Sequence, residues 1–168
     1  MAAIESKTIL KYGLMIPGLS KIFKGKLKEA AGFSNSRFAI SGAAPINPDI
    51  LTLFQKLDIP LFEGYGMTEN TAGATLNYIG HNKIGSVGKA FPNTDIKIAE
   101  DGEILIKGAN VMKGYFKNPE ATADTISNDW LYTGDVGKID SDGYLYITGR
   151  KKEIYVSSAG KNIAPLVI

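Results

Sequence analysis

The sequence predicts a mixed α/β chain in which part of a parallel βαβ sheet is followed by an antiparallel, barrel-like subdomain. Three observations carry this. Over residues 37–66 two short apolar runs flank a capped amphipathic helix, with short links between them. After about residue 84 two stretches of period-two alternation turn at Asp-Gly pairs. Glycine is abundant, 19 of 168 residues, as a chain of many tight turns requires.

The elements follow in order. Between Lys7 and Lys28 there are six lysines and no acid, and Pro17-Gly18 breaks the segment. Phe23, Leu27, Ala30 and Ala31 share one helical face before Gly32, so a basic helix is expected over 20–32. A surface helix with a solvated lysine face is one reading; a helix resting on anionic lipid is the other. Arg37–Ser41 reads as a short buried strand running into Gly42-Ala43-Ala44-Pro45. Asn47-Pro48-Asp49 starts a helix, with Ile50, Leu53, Phe54 and Leu57 on its apolar face. Leu61-Phe62 begins the second strand, which stops at Gly64-Tyr65-Gly66. In such sheets ligands collect beyond the carboxyl ends of the strands, where both glycine-rich loops lie. Further on, Ile96 and Ile98 alternate toward Asp101-Gly102, and Ile104 and Ile106 alternate on the return. Asn118-Pro119-Glu120 caps a short helix to about Ile126. A second hairpin turns at Asp142-Gly143 with Tyr144 and Tyr146 on one face, and Ile154-Tyr155-Val156 forms a last strand.

Composition excludes several functions. The 19 basic and 17 acidic residues leave a net charge of only +2, which argues against a dedicated nucleic-acid binder. Without cysteine there is no thiol nucleophile, thiolate metal site or disulfide, and one histidine, His81, excludes multi-histidine metal sites. No apolar run approaches the roughly 18 residues of a membrane span. A soluble, cytoplasmic chain is expected, with the lysine-rich helix as its candidate for peripheral membrane contact. Nothing in the sequence sets an oligomeric state.

The chemistry lies in polar residues attached to glycine turns. There is no phosphate-binding G-x-x-x-x-G-K-[ST] loop, and Glu69 replaces the third glycine of a dinucleotide fingerprint. Tyr65-Gly66-Met67-Thr68-Glu69 sets a hydroxyl beside a carboxylate just after a strand. Tyr132-Thr133-Gly134-Asp135 and Gly149-Arg150 add an acid and a guanidinium at other turns. Aromatic face, ribose-binding acid, Mg²⁺-binding carboxylate and phosphate donors are what a nucleotide needs. The same residues also suit a Thr68 helix cap, a core-edge Tyr65 and surface hydrogen bonds at Asp135 and Arg150.

In order along residues 36–168, these segments resemble the adenylate-forming superfamily of acyl-CoA synthetases, luciferases and peptide-synthetase adenylation domains. The matching blocks are Ser41–Pro45, Gly64–Glu69, Gly85-Ser86-Val87-Gly88-Lys89 ahead of Pro92, Gly102-Glu103-Ile104, Gly114-Tyr115-Phe116 and Trp130–Asp135. Gly149–Glu153 and Gly160–Pro165 complete the series. The wording of the later blocks is most similar to long-chain fatty acyl-CoA synthetases.

The resemblance implies a two-step reaction. A fatty acid carboxylate attacks the α-phosphate of ATP to give acyl-AMP and pyrophosphate, and the thiol of coenzyme A then displaces AMP. It implies that Gly42, Ala43, Ala44, Gly64 and Gly66 border the nucleotide, that Tyr65 stacks on adenine and that Asp135 binds the ribose hydroxyls. Thr68, Glu69 and Arg150 would act on phosphate or ribose in catalysis, with Glu69 holding Mg²⁺. Met67, Ala72 and Gly73 would border the acyl group, Lys152 would be the hinge of the small C-terminal domain and Gly160 would line the pantetheine path. Two parts of the family's pattern are not found: residues 1–35 lack its Ser/Thr/Gly-rich phosphate loop, and its C-terminal lysine falls beyond Ile168. The expectation is a central fragment, incomplete relative to the family fold and inactive alone. Residues 1–83 would be the later α/β part of the large domain, 84–150 the antiparallel β subdomain, and 151–168 the hinge and first strand of the small domain. A non-catalytic AMP-binding module is the alternative, as is a piece of a fatty acyl-AMP ligase or peptide-synthetase adenylation domain.

Overall fold

The computed structural model describes residues 19–153, 155–156 and 162–163. Within the chain two compact units form, one from residues up to Ala39 together with Asn47–Leu61, the other from Ile40–Ile46 and the chain after Phe62.

The first unit holds two helices, α1 (Leu19–Ala30) and α2 (Pro48–Lys56). Helix α1 ends in a left-handed turn at Gly32: the Gly32 and Phe33 amides donate to the Glu29 and Lys28 carbonyls, satisfying two otherwise orphaned acceptors. Helix α2 starts as its sequence dictates, with the Asn47 side chain accepting from the Asp49 amide at 2.8 Å and Pro48 at the first helical position. It ends in the same motif as α1, but with Asp58 rather than glycine in the left-handed position, φ +55°. Two lysines of α1 serve this residue: Lys24 Nζ lies 2.7 Å from the Asp58 carboxylate, and Lys28 Nζ donates to its carbonyl. Leu51, Leu57 and Ile59 form the buried interior, and Phe33 packs edge-on against Phe54. Ile50, expected on the buried face, is instead 43% exposed and Leu51 takes its place. Both residues are apolar and adjacent, so the periodicity alone leaves the face free to rotate by one position.

The second unit contains two main sheets. Strands β1 (Ala39–Ser41), β2 (Leu61–Tyr65), β3 (Thr75–Leu76) and β4 (Lys89–Ala90) form a mixed sheet in that order. β1, α2 and β2 are the expected βαβ unit, and antiparallel pairing sets in at β3. The strand expected over Arg37–Ser41 is shorter and is not buried: Ile40, on the edge strand β1, is 55% exposed, and Phe38, just before that strand, is 51% exposed.

The other sheet is antiparallel and curls into a half-barrel. It comprises β5 (Thr94–Ile98), β6 (Glu103–Gly108), β7 (Ile126–Ser127), β8 (Trp130–Ile139) and β9 (Leu145–Arg150). The first hairpin has the register its alternation requires, with Ile96 opposite Ile106 and Ile98 opposite Ile104. Helix α3 (Pro119–Thr125) is capped by Asn118, whose side chain accepts from the Ala121 amide. The core gathers Ala74, Ile104, Ile106, Leu131 and Leu145, with Tyr65 and Met67 packed against it from the end of the first sheet. Burying each such aliphatic side chain contributes about 1.5–3 kcal/mol. After β9 come a single 3-10 turn (Lys151–Glu153) and the antiparallel pair β10 (Tyr155–Val156) and β11 (Asn162–Ile163).

Candidate functional site

Between β2 and β3 the chain makes a tight loop fixed by its own backbone. The Asn70 and Ala72 amides both donate to the Met67 carbonyl, the Thr71 amide donates to Thr68, and the Ala74 amide returns to the Tyr65 carbonyl. Gly66 is obligatory here, since a Cβ on it would lie 2.3 Å from the Ala72 carbonyl oxygen. Thr71 and Ala72 are both left-handed, φ +59° and +63°, which costs about 1 kcal/mol or more each for residues other than glycine. The segment 110–115 pins the loop from outside. The Met112 amide donates to the Glu69 carbonyl at 2.7 Å, Thr71 Oγ1 donates to the Asn110 carbonyl, and Asn110 Nδ2 donates to Gly73 O.

Two polar clusters result. In the first, Asp135 accepts two charge- or polarity-assisted hydrogen bonds: Tyr65 Oη donates to Oδ2 at 2.6 Å, and Arg150 Nε donates to Oδ1 at 2.9 Å. Asp135 and Arg150 are directly opposite on β8 and β9, the placement in which a cross-strand ion pair is strongest. Burial, followed by the hydrogen bond to Asp135, pushes the Tyr65 phenol well above its ordinary value, so it remains a donor at every physiological pH. An ionised carboxylate offers about four lone-pair positions. With one hydrogen-bond partner on each oxygen among the described residues, Asp135 keeps acceptor capacity for a diol.

In the second cluster Glu69 Oε1 accepts from Tyr115 Oη at 2.8 Å, and its other oxygen has no partner among the described residues. Thr68 is exposed at the start of the 3-10 turn, its hydroxyl likewise without a described partner; Met67, not Thr68, occupies the cap position. The helix-cap reading of Thr68 therefore does not hold. Asn70 is fully buried; its carbonyl accepts from the Met67 amide, and its Nδ2 donor has no partner among the described residues.

The other sequence candidates divide. Gly42, Ala43 and Ala44 form an exposed loop after β1 with Ala43 left-handed at φ +66°, and a Cβ on Gly42 would touch the Gly64 carbonyl at 3.5 Å, one residue from Tyr65. Gly64 itself packs closely on β3, and Gly73 faces the Phe91 ring. Met67 points into the core, and Ala72 is exposed. Lys152 is exposed in the turn after Arg150, and Gly160 lies outside the described residues. No hydrogen bond ties Gly42–Ala44, Ala72 or Lys152 to either cluster among the described residues.

Three working residues escaped the sequence. Tyr115, Thr133 and Glu103 stand inside the family-like blocks, and their side chains make contacts that hold the site. Tyr115 reaches Glu69 across 46 residues, which no local pattern can signal. Glu103 carried a usable sign: an acid heading the apolar strand Glu103-Ile104-Leu105-Ile106 must find partners if buried.

For magnesium, the donor set fits one mode of binding. Among the described residues no group of three or more acidic or histidine side chains gathers, but Glu69 has a free carboxylate oxygen. Mg²⁺ is commonly held by one or two carboxylates, with phosphate oxygens and water completing the shell.

Residues 13–116, more than half of the chain, match the model of a family described as AMP-binding enzyme. The chain belongs to that family. It is 43% identical over 143 residues to the long-chain-fatty-acid–CoA ligase FadD15 of Mycobacterium bovis, covering 85% of this chain and 24% of that protein. It is 36% identical over 168 residues to the 2-succinylbenzoate–CoA ligase of Listeria innocua, covering 98% and 35%. The structure of O-succinylbenzoate coenzyme A synthetase from Bacillus subtilis in complex with AMP superposes with a TM-score of 0.73 at 34% identity, over 79% of this chain and 30% of that one. The same enzyme with ATP and magnesium ion gives 0.69 at 34% identity, over 77% and 29%. This AMP-binding chain thus spans about a quarter to a third of the length of the relatives it matches, and those relatives are acyl-CoA ligases.

Proposed function

We propose that the chain carries the AMP-binding site of an ATP-dependent long-chain fatty acid–CoA ligase, with Asp135 as the ribose acceptor. The carrying observation is the buried Asp135 carboxylate held between Tyr65 and Arg150 with lone pairs to spare. Support for the nucleotide comes from the family itself and from the AMP-bound relative. Support for a fatty acid rests on the 43% identity to FadD15, against 36% to the 2-succinylbenzoate enzyme.

In this reading the Tyr65 ring borders the adenine while its hydroxyl holds Asp135. Thr68 donates to a phosphate oxygen from its exposed, uncommitted hydroxyl. Arg150 adds positive charge beside the ribose and phosphate. Glu69, steadied by Tyr115, would hold Mg²⁺, which when bound neutralises phosphate charge. The residues mainly position and neutralise, which is what phosphoryl chemistry asks of a protein. The carboxylate oxygen attacks the α-phosphorus and pyrophosphate leaves; the coenzyme A thiol then attacks the acyl carbon and displaces AMP to give the thioester. The loop Gly66–Gly73 would border the acyl chain, Lys152 would be the hinge and Gly160 would line the pantetheine path. Work in the cytoplasm is part of the proposal, with the exposed Lys21 and Lys26 of α1 touching an anionic membrane surface.

Calorimetric titration of the folded chain with AMP tests the nucleotide assignment. The expected result is a dissociation constant on the order of micromolar, about −8 kcal/mol, weakened at least about ten-fold by Asp135→Asn, which removes a charged acceptor. A folded chain that takes up no AMP contradicts it. For the acyl group, acyl-AMP formation by the parent enzyme should prefer palmitate; a preference for 2-succinylbenzoate would overturn the long-chain assignment.

A further inference from the structure

Glu103 heads β6 with only 5% of its surface exposed, and its two carboxylate oxygens face strand β8 and the 3-10 turn that follows β9. Oε1 accepts from the Gly134 amide at 2.8 Å. Oε2 accepts from Lys151 Nζ at 2.8 Å, and the same ammonium reaches Asp101 Oδ2 at 2.7 Å. Gly134 immediately precedes Asp135, and Lys151 immediately follows Arg150. One buried carboxylate therefore holds β8 and the turn after β9 at the neighbours of the Asp135–Arg150 pair.

The backbone explains why a grip is needed there. Glu103 is opposite Val136 and Leu105 opposite Tyr132, so the three residues Thr133-Gly134-Asp135 of β8 oppose Ile104 alone. The strand bulges, with Gly134 left-handed at φ +72°, and a bulge leaves amides without ladder partners while re-aiming a side chain. Two side chains take up the freed amides. Thr133 Oγ1 donates to the Ile104 carbonyl and accepts from the Asp135 amide at 3.1 Å, and Glu103 accepts from Gly134. A buried amide without such a partner would cost about 1–3 kcal/mol, and the ladder could recover that only by closing the bulge and turning Asp135 away.

We propose that Glu103 is the positioning residue of this site: it holds the bulge that presents Asp135 and registers Arg150 against it through Lys151. Its role in nucleotide binding rests on the ribose assignment above; its hold on the Asp135–Arg150 pair does not.

Two readings of the folded chain test this. In ¹H–¹⁵N spectra without ligand, the Arg150 Nε–H is expected as a shifted, slowly exchanging signal. Glu103→Ala should average it into the solvent-exchanging arginine envelope, while Glu103→Gln, whose amide oxygen still accepts from Gly134 but whose NH2 group cannot accept from Lys151, should only broaden it. Lys151→Met, at an exposed position, removes half of the grip without threatening the fold and should broaden the signal. An unchanged signal in a folded Glu103→Ala overturns the proposal; if that variant does not fold, an unchanged signal in Lys151→Met overturns it. The second reading is the ratio of affinities for AMP and 2′,3′-dideoxy-AMP, expected above about ten-fold in the wild type from two bonds to a charged acceptor and near unity in Glu103→Ala. A ratio near unity in the wild type refutes the ribose assignment and leaves the arginine signal to decide the positioning role.

Discussion

At the scale of single residues, Tyr65 and Asp135 form one device. The phenol lies partly in the core and its hydroxyl spends its proton on Asp135, so the ring and the carboxylate cannot move independently. Tyr65→Phe keeps the packing and removes the bond, at a cost of about 1 kcal/mol in stability, yet it should weaken AMP binding several-fold by freeing Asp135; equal affinity in calorimetry would separate the two residues. Glu69→Gln should leave AMP binding intact and abolish the magnesium dependence of ATP binding, measured by titration with and without the ion. The meeting of Tyr65, Asp135 and Arg150 was legible because each sits beside a glycine turn in a block with a recognisable neighbour. Glu103, Thr133 and Tyr115 were not, because their tasks are set by a strand bulge and by partners 29 to 48 residues away.

At the scale of elements, the end of α2 shows how local rules and long-range contacts divide the work. Its left-handed residue is Asp58, where glycine would be unstrained, and the two lysines of α1 compensate. Asp58→Ala should destabilise more than Asp58→Gly, by about 1 kcal/mol, in denaturant unfolding, since both lose the Lys24 pair and only alanine keeps the left-handed strain; a reversed order would contradict that strain. Those contacts also occupy Lys24 and Lys28, so membrane adsorption falls to Lys21 and Lys26. Co-sedimentation with anionic liposomes should be weak and vanish at high salt, and salt-independent pelleting would contradict an electrostatic contact. Caps and hairpin turns were readable from the sequence: Asn47, Asn118, Gly32 and Asp101-Gly102 all stand where their chemistry requires. The rotation of α2 toward Leu51, and the exposure of Ile40 on the edge strand β1, were not, since apolarity shows what can be buried and not how much of it is covered.

At the scale of the whole molecule, ion pairs set a pH window. Hydrogen bonds from Lys83 and Lys151 hold Asp140 and Asp101 below the ordinary carboxylate range, so the unfolded chain takes up protons first as the pH falls. Their contribution is present above about pH 4 and lost below it. Glu63, raised by burial, opposes them in part. The same partners raise Lys83 and Lys151, and Tyr65 is raised by burial, so stability falls again as the pH climbs beyond about 10. Unfolding midpoints should be level between these limits; a midpoint rising toward pH 3 would contradict the assignment. Because the chain spans a quarter to a third of its relatives' length, it should bind AMP without fatty-acid-dependent ATP–pyrophosphate exchange.

The central claim is tested most directly by a crystal structure of the chain with AMP. The expected density places both ribose hydroxyls within hydrogen-bonding distance of the Asp135 carboxylate, with Tyr65 and Arg150 still on its two oxygens. AMP bound with its ribose away from Asp135, or at another surface altogether, would contradict it.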